Sequence, residues 1–314
     1  GMTTLNGNLE VKQGTFQINV NTTRRLQLVI NGDLTVDNGC FVKVGTGVTN
    51  TVTDPTTAPL GSTGSFVNYY ETQSHRIQIY GNFTNNGTVR FTNLTYPKYG
   101  SFGPLVDDGT TGFATVYFQG SSDKVLSCNG QTDFYNLIVD KGTDQTFKLT
   151  ISSSDYFNFR LLGANTSRGE TPGANPLVKK ALWIRNGTLV LQGLVVIPSL
   201  TEGTLAAAAG FTTSDYFIPS NGALVLDGAG VIVLSTADDY TEVKAAYTLT
   251  SGSNLLCGIN TSGGFSGLSF LGKLQINAGY LSTRESSGLL YWSYSSGQFI
   301  LNGGKVDAKQ YHDP

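Results

Sequence analysis

FATVYFQGSSDKVLSCNGQTDFYNLIVDKG, residues 113 to 142, decides the fold class. Val116 and Phe118 alternate with Tyr117, Leu126 and Cys128 with Ser127, and Leu137 and Val139 with Ile138. Gly120, Asn129, Gly130 and Gly142 stand at the breaks between these short apolar runs. Alternation over a few residues bounded by Gly, Asn, Asp and Ser reads as strand and turn rather than helix.

Outward from this stretch the same grammar continues. A unit of Gly, a polar residue, and two apolar residues separated by one position recurs at Gly7, Gly32, Gly81, Gly187, Gly222, Gly272 and Gly297, with a more polar second half (Asn85) at Gly81 and Ala223 in the polar place at Gly222. A further glycine follows each unit after a short turn. The leading glycines are spaced 25, 49, 106, 35, 50 and 25 residues apart, mostly near multiples of about 25, the range in which solenoids are expected. A coil of short strands cannot bury its inner face alone and does so by stacking on the next coil. The expected fold is therefore all-β, a single-stranded parallel β-helix in one domain spanning 1–314. About twelve coils at ~4.8 Å per strand would make a rod of ~55–60 Å. Asn86-Gly87 and Asp227-Gly228 keep hairpins, and with them an antiparallel β-sandwich, as the competing architecture.

Composition agrees with stacked strands. Only 13% of residues are charged, 39 are Gly, and the aromatics comprise 17 Phe, 15 Tyr and 2 Trp. β-branched and aromatic side chains suit a pleated surface, and such an aromatic content excludes a disordered chain. A net charge of −2 excludes the electrostatic footprint of a nucleic-acid binder. No run of 18 apolar residues spans a bilayer. Gly1-Met2 has the look of a scar left by tag removal, so the lack of a signal peptide is no argument for the cytosol.

Cys40, Cys128 and Cys257 each sit in an apolar alternation and read as small core-facing hydrophobes. Metal-ligand spacing is absent, and neither a metal nor a cofactor is expected. Long segments without alternation, at 45–65, 96–112, 152–180 and 198–219, are expected to project from corners of the rod. Thr204–Ala209 is the one helical turn the sequence suggests.

The run Gly81-Asn82-Phe83-Thr84-Asn85-Asn86-Gly87-Thr88, followed by Phe118-Gln119-Gly120-Ser121-Ser122 and then Phe134-Tyr135-Asn136-Leu137-Ile138-Val139, resembles the repeats of secreted or surface-exposed proteins of Bacteroidetes-type bacteria. In that family a GNFTNNGT-like strand leads to an F-x-G-S-x-x-Q-x-I-S-G strand and then to an F-x-N-L-x-I strand. Here Lys124 replaces the usual Gln, Leu126 the usual Ile, and Asn129-Gly130 a lone Gly. The resemblance covers about half the chain and implies a right-handed β-helix of pectin-lyase-like architecture at the outer cell surface or outside the cell. It carries no catalytic residues across.

Parallel β-helices also host polysaccharide lyases and glycoside hydrolases, which is analogy of fold alone. Hydrolysis needs two carboxylates about 5 to 9.5 Å apart across one groove. Asp107 with Asp108 and Asp238 with Asp239, near Glu242, are the candidates, each pair read in the first place as a solvated turn whose side chains bond nearby backbone amides. His75 stands at a strand start, read as an exposed or locally bonded corner residue, and no G-x-S-x-G elbow accompanies it. Tyr69, Tyr70, Tyr96, Tyr99, Tyr291, Trp292 and Tyr294 are the candidate sugar-stacking aromatics, with packing between coils as the alternative. The expected function is thus a non-catalytic, adhesin-like surface scaffold, a monomer binding a polysaccharide or another surface component. A polysaccharide-degrading enzyme is the alternative.

Overall fold

The computed structural model describes residues 1–19, 26–45, 75–92, 112–156, 158–161, 164–165, 178–179, 181–197, 200–201, 216–234, 268–283, 289–292, 296–308 and 310–312. The chain is all-β. Its strands fall into three walls, visited in the same order on every turn. Wall A begins with Met2–Leu5, Gln27–Ile30, His75–Ile79, Ala114–Gly120 and Asn136–Lys141. Wall B begins with Leu9–Val11, Leu34–Val36, Phe83–Asn85, Lys124–Cys128 and Lys148–Ser153. Wall C begins with Thr15–Ile18, Phe41–Val44, Thr88–Arg90, Thr132–Phe134 and Phe159–Leu161. Each strand pairs in parallel with its counterpart one turn away, as Val116 does with Ile77 on one side and Leu137 on the other. This is a parallel β-solenoid.

The long strand Leu182–Gly193 supplies wall A with its first half and wall B with its second. It turns that corner through a register slip that leaves Arg185 bulged between Ile184 and Asn186. Three further coils follow on strands Tyr216–Ile218, Gly222–Leu226 and Ile232–Leu234, on Leu268–Phe270, Lys273–Ile276 and Tyr280–Thr283, and on Leu289–Trp292, Gln298–Leu301 and Lys305–Ala308. Gln310–His312 adds one last strand on Leu289–Trp292. Among the described residues nine coils, not twelve, make a stack of roughly 40 Å. The estimate of twelve overlooked how much chain lies between strands. The sandwich alternative is overturned, since every ladder between coils is parallel. Among the described residues, antiparallel pairing is confined to Ala164–Asn165 with Val178–Lys179 and to the Thr92–Phe113 bridge. Asn86-Gly87 and Asp227-Gly228 stand at wall B to wall C corners and make no hairpin.

All seven recurrent glycine units enter wall B, and in the early coils their chemistry explains the recurrence. Asn8 Oδ1 accepts the backbone N–H of Asp33 at 2.9 Å, Asp33 Oδ1 that of Asn82 at 2.7 Å, and Asn82 Oδ1 that of Val125 at 3.0 Å. Asp123 repeats the contact to Lys148 at 2.8 Å. In the first three units the short polar residue after the glycine therefore ties its coil to the next at this corner, and Asp123, outside the unit, does so in the fourth coil. A Cβ on Gly81 would overlap the backbone carbonyl of Gly32, so the preceding position has room for no side chain.

Inward residues stack into one core, exemplified by Ile79, Phe118, Val139 and Ile184 on wall A and Phe83, Leu126, Ile151 and Leu191 on wall B. Phe91, Phe134 and Phe159 form an interior aromatic stack with ring centroids 5.3 and 5.8 Å apart. Cys40 and Cys128 are buried free thiols, as their alternation predicts. Cys257 and Thr204–Ala209 lie outside the described residues.

Candidate functional site

The connections are distributed unequally among the three corners. Between walls A and B, and between B and C, no connection exceeds six residues, the length between Lys141 and Lys148. Every long connection, including 45–74, 91–113, 162–181, 198–215 and 235–267, leaves wall C and returns to wall A. The segments 45–65 and 96–112 fall within connections at this corner, whereas 152–180 and 198–219 are not loops throughout. The first of these two holds the end of the wall B strand Lys148–Ser153 and the wall C strand Phe159–Leu161, and the second holds the wall A strand Tyr216–Ile218. The outer faces of walls A and C border the corner.

At that corner the chain is held by buried polar groups. His75 is fully buried, so it is a bonded corner residue rather than an exposed one. Its Nδ1 accepts the backbone N–H of Leu26 at 3.1 Å, and its Nε2 lies 3.1 Å from the side-chain nitrogen of Asn19. Asn19 itself is left-handed, at φ 67°, a conformation that its short polar side chain tolerates. Phe113 stacks on Tyr135 with centroids 4.0 Å apart.

On the outer face of wall A, register aligns Gln78, Tyr117, Ile138 and Trp183 in one file. Tyr117 and Ile138 are each 1% exposed and Trp183 7%, so these outward side chains are withdrawn from solvent. The Arg76 guanidinium lies 4.5 Å from the centre of the Tyr117 ring, and that of Arg185 5.6 Å from Trp183. Such pairs add cation–π attraction to apolar burial. Beside the file runs a ladder in which Gln78 donates to Gln119 at 2.6 Å and Gln119 to Asp140 at 3.0 Å. Asn186 also donates to Asp140, at 2.7 Å, and Arg185 approaches it at 3.7 Å.

The outer face of wall C carries a charged file. Asp133 is fully buried between Arg90, which donates to it from Nε at 2.9 Å, and Arg160, which grips it through Nε at 2.5 Å and a terminal nitrogen at 2.7 Å. Gln131 adds a fourth bond at 2.8 Å. Four bonds from three side chains hold this buried carboxylate in place, so it is a structural group.

Two buried ionisable groups lie elsewhere. Lys141, at the end of its wall A strand, is fully buried and donates from Nζ to the Gln119 carbonyl at 2.7 Å. Burial, with the nearby positive charge of Lys124 and against the pull of Asp123, brings its ammonium down to about 8. Burial pushes the Cys128 thiol up to about 12, so it is an unreactive core group.

Asp107, Asp108, Asp238, Asp239 and Glu242 lie outside the described residues, as do Tyr69, Tyr70, Tyr96, Tyr99 and Tyr294. All belong to connections that leave wall C or, for Tyr294, to the corner entering wall B. Tyr291 and Trp292 are on a wall A strand, in register with Ser269 and Phe270. The Tyr117, Trp183, Arg76 and Arg185 group was not singled out from sequence. Its signal was available in the outward position of Tyr117 within Val116-Tyr117-Phe118, which names a polar-tipped aromatic on an outer face. Among the described residues no three His, Cys, Asp or Glu side chains could hold a metal ion, and no helix is long and apolar enough to cross a membrane. No protein-family model, no curated protein and no solved structure matches the chain.

Proposed function

We propose that the protein is a non-catalytic, adhesin-like scaffold of the outer cell surface or extracellular space, a right-handed parallel β-helix that binds a polysaccharide or another surface component as a monomer. The observation that carries this reading is the gathering of every long connection at one corner of a regular stack. Loops carry recognition when a rigid scaffold positions them, and a solenoid offers extended surfaces to do so. The carboxylates described on the outer faces are structural: Asp133 is held by two arginines, and Asp140 accepts from Gln119 and Asn186. The resemblance of the repeats to surface proteins supports the location.

A glycan array probed with the wild-type chain and with an Asp107→Ala, Asp238→Ala double variant tests the reading. Binding retained by both, without release of reducing or unsaturated ends from any bound polysaccharide, is the expected result. Turnover abolished by the double substitution would establish the hydrolase or lyase alternative instead. Light scattering at the mass of one chain, 33.4 kDa, checks the monomer, and a trimer would point to a fibre segment.

A further inference from the structure

Wall B differs from its neighbours in having short corners at both edges, so its nine strands present an outer face that no long connection borders. One file of outward positions runs the length of that face. In the last four coils it closes on itself: Gln192 and Asn277 each donate to Asp227 at 2.9 Å, and Asn302 donates to Asn277 at 2.9 Å. In coils two to five the same file reads Thr35, Thr84, Ser127 and Ser152. All four are half-buried, and among the described residues none of their hydroxyls hydrogen-bonds to another protein group.

We propose that this row of hydroxyls is a binding track for a neutral, linear polysaccharide lying along the rod axis with one sugar ring per coil. The inference rests on the glycan-binding reading above and assigns it a site and a ligand class. A hydroxyl is at once donor and acceptor, the same capacity a sugar hydroxyl has, so each rung can exchange bonds with a ring in either sense. Strands repeat every ~4.8 Å, close to the advance per ring of an extended β-1,4-linked chain. The hydroxyl row itself offers an anionic chain no cation. Glu10 heads the file, already paired with Lys12 at 2.6 Å, and Asp33 flanks Thr35. Val125, 40% exposed beside Ser127, offers an apolar contact for the C–H face of a ring. An ordered water lattice such as ice would need two regular hydroxyl files, whereas the neighbouring file reads Asp33, Asn82, Val125 and Thr150.

Affinity gel electrophoresis in hydroxyethylcellulose, xylan or polygalacturonate tests the track, using wild type, a Thr84→Val, Ser127→Val double variant and Ser127→Glu, each checked for native circular dichroism. The expected result is retardation of wild type by a neutral β-1,4-linked polymer and not by polygalacturonate, with at least tenfold weaker binding in both variants. Equal retardation of wild type and variants overturns the track while leaving the glycan-binding reading intact. Absence of retardation by any polysaccharide, with a blank glycan array, overturns both. Preferential retardation by polygalacturonate, or inhibition of ice recrystallisation without glycan binding, overturns the assignment of ligand.

Discussion

Replacing Lys141 by Met is expected to stabilise the protein at neutral pH and to change the shape of its stability profile with pH. The ammonium sits fully buried with one carbonyl partner and titrates at about 8, against about 10.4 for a lysine in an unfolded chain. Because the folded value is the lower one, the folded state binds fewer protons between these limits, and stability must rise with pH across that window. Each pH unit recovers about 1.4 kcal/mol, so roughly 2 kcal/mol returns between pH 8 and 9.5, and the full penalty below pH 8 is about 3 kcal/mol. In Lys141→Met that penalty is absent at every pH, although the Gln119 carbonyl loses a bond worth about 1 kcal/mol. Urea unfolding followed by tryptophan fluorescence, with wild type and variant measured side by side from pH 6.5 to 9.5, isolates the effect because all other titrations are shared. The stability difference should be flat below pH 8 and shrink by roughly 2 kcal/mol at pH 9.5. Parallel profiles for the two proteins would falsify the claim that this ammonium is desolvated in the fold.

Gly81→Ala should cost about 1–3 kcal/mol of stability in urea melts, because the new methyl overlaps the Gly32 carbonyl of the preceding coil. Gly7→Ala, where nothing lies within 4 Å, should be neutral or slightly stabilising in the same assay. Phe134→Ala, in the middle of the interior aromatic stack, should lower stability by about 3–5 kcal/mol, and a Phe134→Leu variant should recover much of that loss. Asp133→Ala should cost about 2–4 kcal/mol, since Arg160, largely buried, would lose its partner; equal stability would show that the pair merely breaks even against its desolvation.

Architecture was legible because inward and outward positions alternate so regularly that Val116, Phe118, Leu137 and Val139 declare their face. The glycine units were found in sequence, but their meaning was not. The contact from Asn8 to Asp33 is made across a coil, and nothing in a linear reading says which turn its partner occupies. The irregular interval between Gly81 and Gly187 also hides a change of phase. Leu9, two residues after Gly7, shares its file with Leu34, Phe83, Leu126, Ile151 and Leu191, whereas Leu189, two residues after Gly187, lies one inward position earlier. His75 reads from the sequence as an exposed or locally bonded corner residue because it follows a polar run. Its burial depends on Leu26 and Asn19, each about fifty residues away. Tyr117 alone declares an outward aromatic, but the alignment of the outer aromatic file and of the hydroxyl file is not legible in a linear reading, since each draws one residue per coil from segments 20 to 50 positions apart.

Length changes are tolerated very differently around this molecule. A residue added between Leu5 and Leu9, or between Phe83 and Thr88, would rotate the following strand by one position, turning lining residues toward water and breaking the Asx contacts to the next turn. An addition between walls C and A meets no such penalty, because connections there already range from the single residue Tyr135 to the span 235–267. That edge is thus open to diversification by long insertions and deletions, while the other two corners hold connections of only two to six residues; peptides grafted in place of 235–267 should leave the remaining coils in register.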